Sequence, residues 1–388
     1  MQPLTTQSCN LLGAYKLPFA QHEVPPGISG VIITDLGIIA ANFRKIAAHL
    51  PKAKSSAVVK ANAYGIGMVP VSKALFQTGC RDFFVATVDE GIRLRRALPE
   101  VHIFVFNGVL PGTQEVLDKH KLIPVLNDLG QIDLWREWGV QQNRILPAAL
   151  HLDTGMWRMG LPPQELAVLG QHLEKLERFD LRCILSHLAC SEQLHHPLNA
   201  RQLQRFQAAC QLLPAAPMSL ANSGGILLGP DYHFDLVRPG KALLGVGTIV
   251  APAIGLQPAV QVYAQILQVR DMPAGHSIGY DAQYKTSTPI RLATLGMGYG
   301  DGIIRAFGNC GKVFIGGHVA PIVGRVSMDL IAVDASAVPE QYLRPGFWAE
   351  VVGEHITADE QAAAGGTISR EIYTNFGERN HRIYRGET

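Results

Sequence analysis

The chain has 388 residues, with 34 basic and 32 acidic side chains, so its formal charge of +2 offers no field for nucleic acid or an anionic membrane surface. Apolar residues make up 47% and charged residues 17%, which excludes a disordered chain and allows one large or two ordinary cores. The six cysteines (Cys9, Cys80, Cys183, Cys190, Cys210 and Cys310) include no Cys-x-x-Cys pair, which argues against a zinc ribbon or a disulfide framework.

Residues 1–29 carry several Pro and Gly with little periodicity and read as an N-terminal surface arm. They lack the basic start and continuous apolar run of a secretory signal, and the apolar stretch Ala242–Val260 is too interrupted to span a bilayer. A cytoplasmic protein with no membrane partner is expected. From residue 30 short apolar runs alternate with helix-period segments. A helix is predicted over 36–50, with Asp35 as N-cap, followed by the run Ser56–Lys60 and a helix over 70–78. Strands over 83–88, 102–106, 122–126, 147–152 and 182–188 then alternate with helices over 89–98, 113–119, 129–138, 163–176 and 200–213. Two further runs, 218–221 and 234–237, bring the apolar runs to eight. Short runs buried on both faces and separated by helices predict parallel strands, and eight such units fit a (β/α)₈ TIM barrel over residues 30–254. A doubly wound sheet is the alternative, weakened because no Gly-x-Gly-x-x-Gly follows the first strand. Beyond residue 255, runs at 259–269, 290–295, 311–315, 319–323, 330–333 and 348–352 alternate with Gly, Asp and Asn turns, and 367–373 reads as strand or helix. Residues 255–388 therefore read as a mostly-β C-terminal domain.

In such a barrel the chemistry stands at the C-terminal ends of the strands. Lys60 ends the first run, where one-sided desolvation favours the neutral amine that attacks carbonyls, although snorkelling explains many lysines at strand ends. Ser223 stands just past the seventh run within Ala221-Asn222-Ser223-Gly224-Gly225, and Arg238-Pro239-Gly240 follows the eighth. Loops after strands seven and eight are where barrels bind phosphate, and the absence of a Walker loop points to a cofactor phosphate rather than a nucleotide. His195-His196 with Glu192 has poor metal spacing beside Pro197 and reads as a solvated loop.

These residues carry a resemblance. Val58-Val59-Lys60-Ala61-Asn62-Ala63-Tyr64-Gly65 resembles the lysine signature of the alanine racemases. The match recurs in order in Leu152-Asp-Thr-Gly-Met-Trp-Arg158, Ser186-His187-Leu-Ala, Ala221-Asn222-Ser223, Val237-Arg238-Pro-Gly240, Gly279-Tyr280-Asp, Gly298-Tyr299-Gly-Asp-Gly302 and Val323-Gly-Arg-Val-Ser-Met328-Asp329. The resemblance implies a pyridoxal 5′-phosphate (PLP) barrel followed by a β domain. It also implies a homodimer whose subunits share both sites, and interconversion of L- and D-alanine, the latter a peptidoglycan precursor. Lys60 resembles the lysine that takes the cofactor and serves as one base. Tyr280 resembles the second base, supplied by the partner subunit, since racemisation needs a proton donor on the face opposite the acceptor. Arg238 resembles the residue facing the pyridine nitrogen; a guanidinium only donates, which argues against a PLP decarboxylase needing an acid there. Tyr64, Ser223 and the Gly240 backbone resemble phosphate contacts. Asn222, His187 and the Lys241 backbone are expected beside the cofactor, and Arg158 at its phenolate oxygen and the substrate carboxylate. Tyr299 and the Met328 backbone resemble a narrow mouth. A phenol is a poor base near neutrality, so Arg238 and His187 are expected as cations favouring its ionised form.

The chain departs from the family pattern at five places. His151 stands where several members carry a carbamylated lysine, Lys241 where an apolar residue is usual, Leu244 at a common tyrosine, Ile66 at a common histidine and Asn380-His381 at a common Val-Pro. A broad-specificity racemase is the nearest alternative; a PLP-binding barrel without catalysis fits poorly, because it would lack the β domain and Tyr280.

Overall fold

The computed structural model describes residues 17–386; Cys9 and the rest of the expected arm through residue 16 lie outside them. The chain divides into two compact units, one of residues 35–259 with the tail from Tyr384 on, the other of residues up to 34 with 260–383.

The first unit is a barrel. Its strands are Lys54–Ser55 with Ala57–Val58, Asp82–Val85, His102–Val105, Ile123–Leu126, Leu146–His151, Phe179–Leu185, Met218–Ser219 and Leu236–Val237, all pairing in parallel with their neighbours. The ring closes: Leu236–Val237 pairs with Lys54–Ser55, and on its other edge Arg238 N donates to Ala221 O at 2.9 Å. The first strand is split at Ser56, whose N–H and hydroxyl both donate to Val237 O. Inward side chains from seven of the strands meet in one cluster, Val58, Phe84, Phe104, Ile123, Val125, Ala149, Cys183, Leu185 and Leu236, which fills the interior as a packed core. Phe84 stacks on Phe104 at 4.5 Å and on Phe106 at 5.2 Å, so aromatic bulk sits directly under the strand ends. The helices form where the apolar period predicts: Leu36–Ala48 starts at Asp35, whose Oδ1 accepts Ile38 N at 2.8 Å, and Val88–Ala97 starts in a Thr87/Glu90 capping box.

The second unit is a mostly antiparallel sheet built on the long strand Val260–Met272. Strand Gly30–Asp35 pairs with its first half, so residues 30–34 lie with the β unit and not with the barrel; buried from Gly30 to Thr34, they have the pattern of a central strand. Residues 17–29 are not a surface arm either. Phe19 and Val24 are buried in a cluster with Val31, Ile33, Tyr263, Trp348 and Ile383, and Phe19 meets the Tyr263 and Trp348 rings edge-on. A bulge between Ile266 and Gln268 turns the long strand onto Ile290–Leu295, which pairs in turn with Ile331–Asp334. Residues 367–373 resolve as the helix Ser369–Asn375, preceded by a second helix, Ala358–Ala364. No helix among the described residues is long and apolar enough to cross a membrane.

Candidate active site

Lys60 leaves the first strand into a turn of unusual hand. Ala61, Asn62, Ala63 and Tyr64 all have φ between 51° and 58°, one left-handed helical turn closed by Ala63 N to Val59 O (2.8 Å) and Gly65 N to Ala61 O (2.7 Å). Each such residue costs roughly 1–2 kcal/mol relative to the right-handed form, so neighbours must hold it. Glu90 does so from the next helix: its Oε1 accepts Ala61 N at 2.6 Å while Oε2 accepts Ala86 N at 2.8 Å. Asn62 Oδ1 accepts Met68 N at 2.9 Å and ties the turn to the helix behind it. The result fixes Lys60 with Nζ 5.4 Å from the Phe106 ring centre, over the aromatic floor.

The loops after strands seven and eight converge on the same end. Ser223 Oγ accepts Gly240 N (3.0 Å) and Ala242 N (3.3 Å), and Tyr64 Oη lies so close to Gly240 that a Cβ there would be 2.0 Å from it. Only glycine leaves that space, which is the shape of an anion cradle built from a hydroxyl, a phenol and backbone N–H groups. Tyr384, from the C-terminal tail, closes the Tyr64 turn: its hydroxyl donates to Ile66 O at 3.0 Å. Arg238 is buried, donating from Nη1 to Ser219 O at 2.9 Å and from Nη2 to Ser186 O. Burial lowers its pKa to about 10, so the guanidinium keeps its charge at neutral pH.

His187 and His151 are neutral. Desolvation first, then Arg238 and Arg158, hold His187 well below the usual imidazole range. Asn222 Oδ1 accepts Ser191 Oγ and Gly225 N, so its Nδ2 must face His187 Nε2 as a donor and the His187 proton belongs on Nδ1. The expectation of a cationic His187 is therefore corrected; of the two expected cations only Arg238 carries charge. His151 is pushed down to about 3 by burial, Arg238 and Arg158. Its Nδ1 lies 2.8 Å from Asn127 Oδ1, and Asn127 Nδ2 is committed to Phe106 O and Val125 O, so His151 donates from Nδ1 and keeps Nε2 as an acceptor. Arg158 is exposed at the end of a loop that Asp153 Oδ1 organises by accepting Gly155 N and Met156 N.

Tyr280, Tyr299 and Met328 stand in the β unit, with 68%, 45% and 54% of their surfaces exposed. Tyr280 tips a hairpin between Ser277–Ile278 and Tyr284–Lys285, and the neighbouring Asp281 (φ 59°) pairs with Arg325 at 2.7 Å. Tyr299 and Met328 are brought together: Tyr299 N donates to Ser327 O at 3.0 Å and Gly300 N to Met328 O at 2.8 Å. A Cβ at Gly298 would lie 2.3 Å from Ser327 O, so glycine is what lets the two loops touch. Arg379 bonds both Asp301 and Asp329 and locks them.

Residues 34–248 match the family model for the alanine racemase N-terminal domain and residues 259–384 that for its C-terminal domain. The chain belongs to the alanine racemase family. It is 40% identical over 369 residues to the catabolic alanine racemase of Agrobacterium fabrum, covering 95% of each chain. With the alanine racemase of Rickettsia canadensis it shares 44% identity over 329 residues, 84% of this chain and 91% of the other. The crystal structure of the Bartonella henselae alanine racemase with covalently bound pyridoxal phosphate superposes with a TM-score of 0.88 at 40% identity, covering 92% of this chain and 99% of that one. The biosynthetic alanine racemase of Pseudomonas aeruginosa gives 0.86 at 32% identity, over 92% and 99%.

Within this alanine racemase fold, sequence reasoning missed Glu90 and Tyr384. The Thr87-x-x-Glu90 spacing was a readable capping box, but its second task at Ala61 was not. Glu192 and His196, weighed as metal ligands, have other partners: Glu192 pairs with Lys241, and His196 Nδ1 accepts Leu198 N at a helix start. One of the family departures, His151, can be tested through stability against pH. A histidine whose folded pKa lies below its unfolded value contributes stability that is fully present above about 6.5 and is lost as pH falls toward about 3. Acid should therefore destabilise the protein by about 1.4 kcal/mol per pH unit from this group alone. His151→Asn should flatten the slope of stability between pH 6.5 and 4.5 in denaturant titrations; an unchanged slope would assign acid sensitivity elsewhere.

Proposed function

We propose that this protein racemises alanine with PLP by a two-base mechanism, as a homodimer in which Lys60 and Tyr280 of the partner subunit act on opposite faces of the substrate. The observation that carries the reading is Lys60 held over the barrel mouth by the Glu90-braced turn, beside the Tyr64–Ser223–Gly240 cradle and a buried cationic arginine. The residues fit the group: the missing Cβ at Gly240 lets Tyr64 Oη come close, which gathers that phenol, Ser223 Oγ and backbone N–H groups as donors that suit a phosphate. Lys241 would contribute its N–H there, and Asn222 and His187 would stand beside the ring. When bound, PLP supplies the electron sink that acidifies the substrate α-C–H.

The protein then does five things. Lys60 Nζ binds the cofactor and holds or releases the α-proton on one face. Tyr280 Oη of the partner subunit does the same on the other. Arg238, charged and committed to donating, would stand at the pyridine nitrogen and leave that atom without a proton, which would restrain side reactions that need a stronger sink. Arg158 would orient the cofactor phenolate oxygen and the substrate carboxylate. Tyr299 and Met328 narrow the entrance to a small side chain.

The test is circular dichroism of amino acids incubated with the protein and added PLP. L- and D-alanine should both lose ellipticity and converge on a racemic mixture. Faster loss with larger side chains would replace this reading by a broad-specificity racemase, and no loss with any amino acid would remove it.

A further inference from the structure

Lys241 is an unusual residue to bury: its side chain is 10% exposed, and its Nζ reaches Glu192 Oε2 at 2.5 Å. The pair is not remote from the cradle. Lys241 lies between Gly240 and Ala242, the two residues whose N–H groups meet Ser223 Oγ. The other oxygen of Glu192, Oε1, presses on the residue after Ser223, so closely that a Cβ at Gly224 would lie 2.6 Å from it. Gly247, φ 120°, leaves the room in which Lys241 Nζ turns toward Glu192. A carboxylate is thus built against one wall of an anion cradle, and an ammonium is buried against the next to meet it. A carboxylate alone there would repel a dianion; an ammonium alone would attract one.

We propose that Lys241 and Glu192 are a charge-setting pair for the cofactor phosphate: Lys241 cancels Glu192, and together they hold the cradle at an intermediate affinity. Neither side chain needs to touch the phosphate, so the Lys241 ammonium and the Glu192 carboxylate are positioning groups acting through the local field. A pair that only tied the 191–196 loop to the barrel rim would behave differently. Breaking it from either side would loosen the cradle in the same direction. A charge-setting pair answers with opposite signs, because each single change leaves the other charge uncompensated.

The experiment measures PLP dissociation constants of the apoprotein by absorbance titration, and inorganic phosphate binding by the rise in melting temperature. Lys241→Met should weaken PLP on the order of tenfold, and Glu192→Gln should tighten it by about threefold, both effects shrinking in 0.5 M KCl. The double variant should return to within about threefold of the unmodified protein. Lys241→Gln replaces Lys241→Met if that variant does not fold, and melting temperatures without ligand separate loss of fold from loss of affinity. If both single variants weaken PLP, or neither changes it, the pair is only a structural tie and the proposal fails. The inference rests on the proposed phosphate placement, for which Ser223→Ala is the control. An unchanged PLP affinity in Ser223→Ala would overturn that placement, whereas a weakened Ser223→Ala with like-signed effects at 241 and 192 would overturn this inference alone.

Discussion

Replacing Lys60 by alanine should abolish racemisation and the visible absorption band of the bound cofactor together. Two functions are lost at one atom. Nζ is the proposed point of covalent attachment and one of the two proton carriers, and general acid–base catalysis alone is worth about 10²–10⁴-fold, so the combined loss should be at least on the order of 10⁴ in kcat/KM. The fold should survive. The turn is closed by backbone groups, Ala63 N to Val59 O and Gly65 N to Ala61 O, and Glu90 grips the Ala61 amide, none of which uses the lysine side chain. The absorption spectrum and borohydride trapping check the result: only the unmodified protein should retain cofactor mass on the peptide containing residue 60. A variant that keeps both band and trapped mass would place the attachment on another lysine.

That such a prediction can be made so locally reflects which features the sequence makes legible. The barrel strands are buried on both faces and separated by amphipathic helices, so their apolar runs stand out at regular intervals, and Lys60, Ser223, Arg238 and Gly240 mark strand ends by position alone. Features set by distant partners are not legible in that way. Strand Gly30–Asp35 belongs to a sheet whose next strand begins at Val260, and no local pattern announces that pairing. The left-handed turn contains alanine, asparagine and tyrosine rather than a run of glycines; it is held because Glu90 accepts the Ala61 amide from outside and Asn62 Oδ1, from within the turn, accepts Met68 N of the next helix. The neutrality of His187 and His151 is equally tertiary. A histidine beside a strand end reads as a potential cation, yet two buried or nearby arginines and the loss of water decide otherwise. What the sequence conveys is therefore the placement of groups, while their protonation and bracing come from residues that only folding brings near.

Protonation states bear directly on the second large effect. Tyr280→Phe should split the two enantiomers in a way that overall turnover cannot reveal. L- and D-alanine have equal free energies in water, so the equilibrium constant is one, and any variant must lose the same factor of kcat/KM in both directions. The informative quantity is exchange of the α-hydrogen with solvent. With the phenol hydroxyl gone, Lys60 can still remove and return a proton on its own face, so one enantiomer should continue to exchange in D₂O without inverting. The other enantiomer presents its α-hydrogen to the missing hydroxyl and should exchange more slowly by about 10²–10⁴-fold, as should racemisation itself. The Tyr280 turn should hold its shape, since Gly279, Asp281 and the Asp281–Arg325 ion pair fix the hairpin independently of the hydroxyl. Proton NMR of each enantiomer in D₂O distinguishes the outcomes: retained exchange for one and loss for the other is the expected pattern, and a matched decline in both would mean that a single group serves both faces.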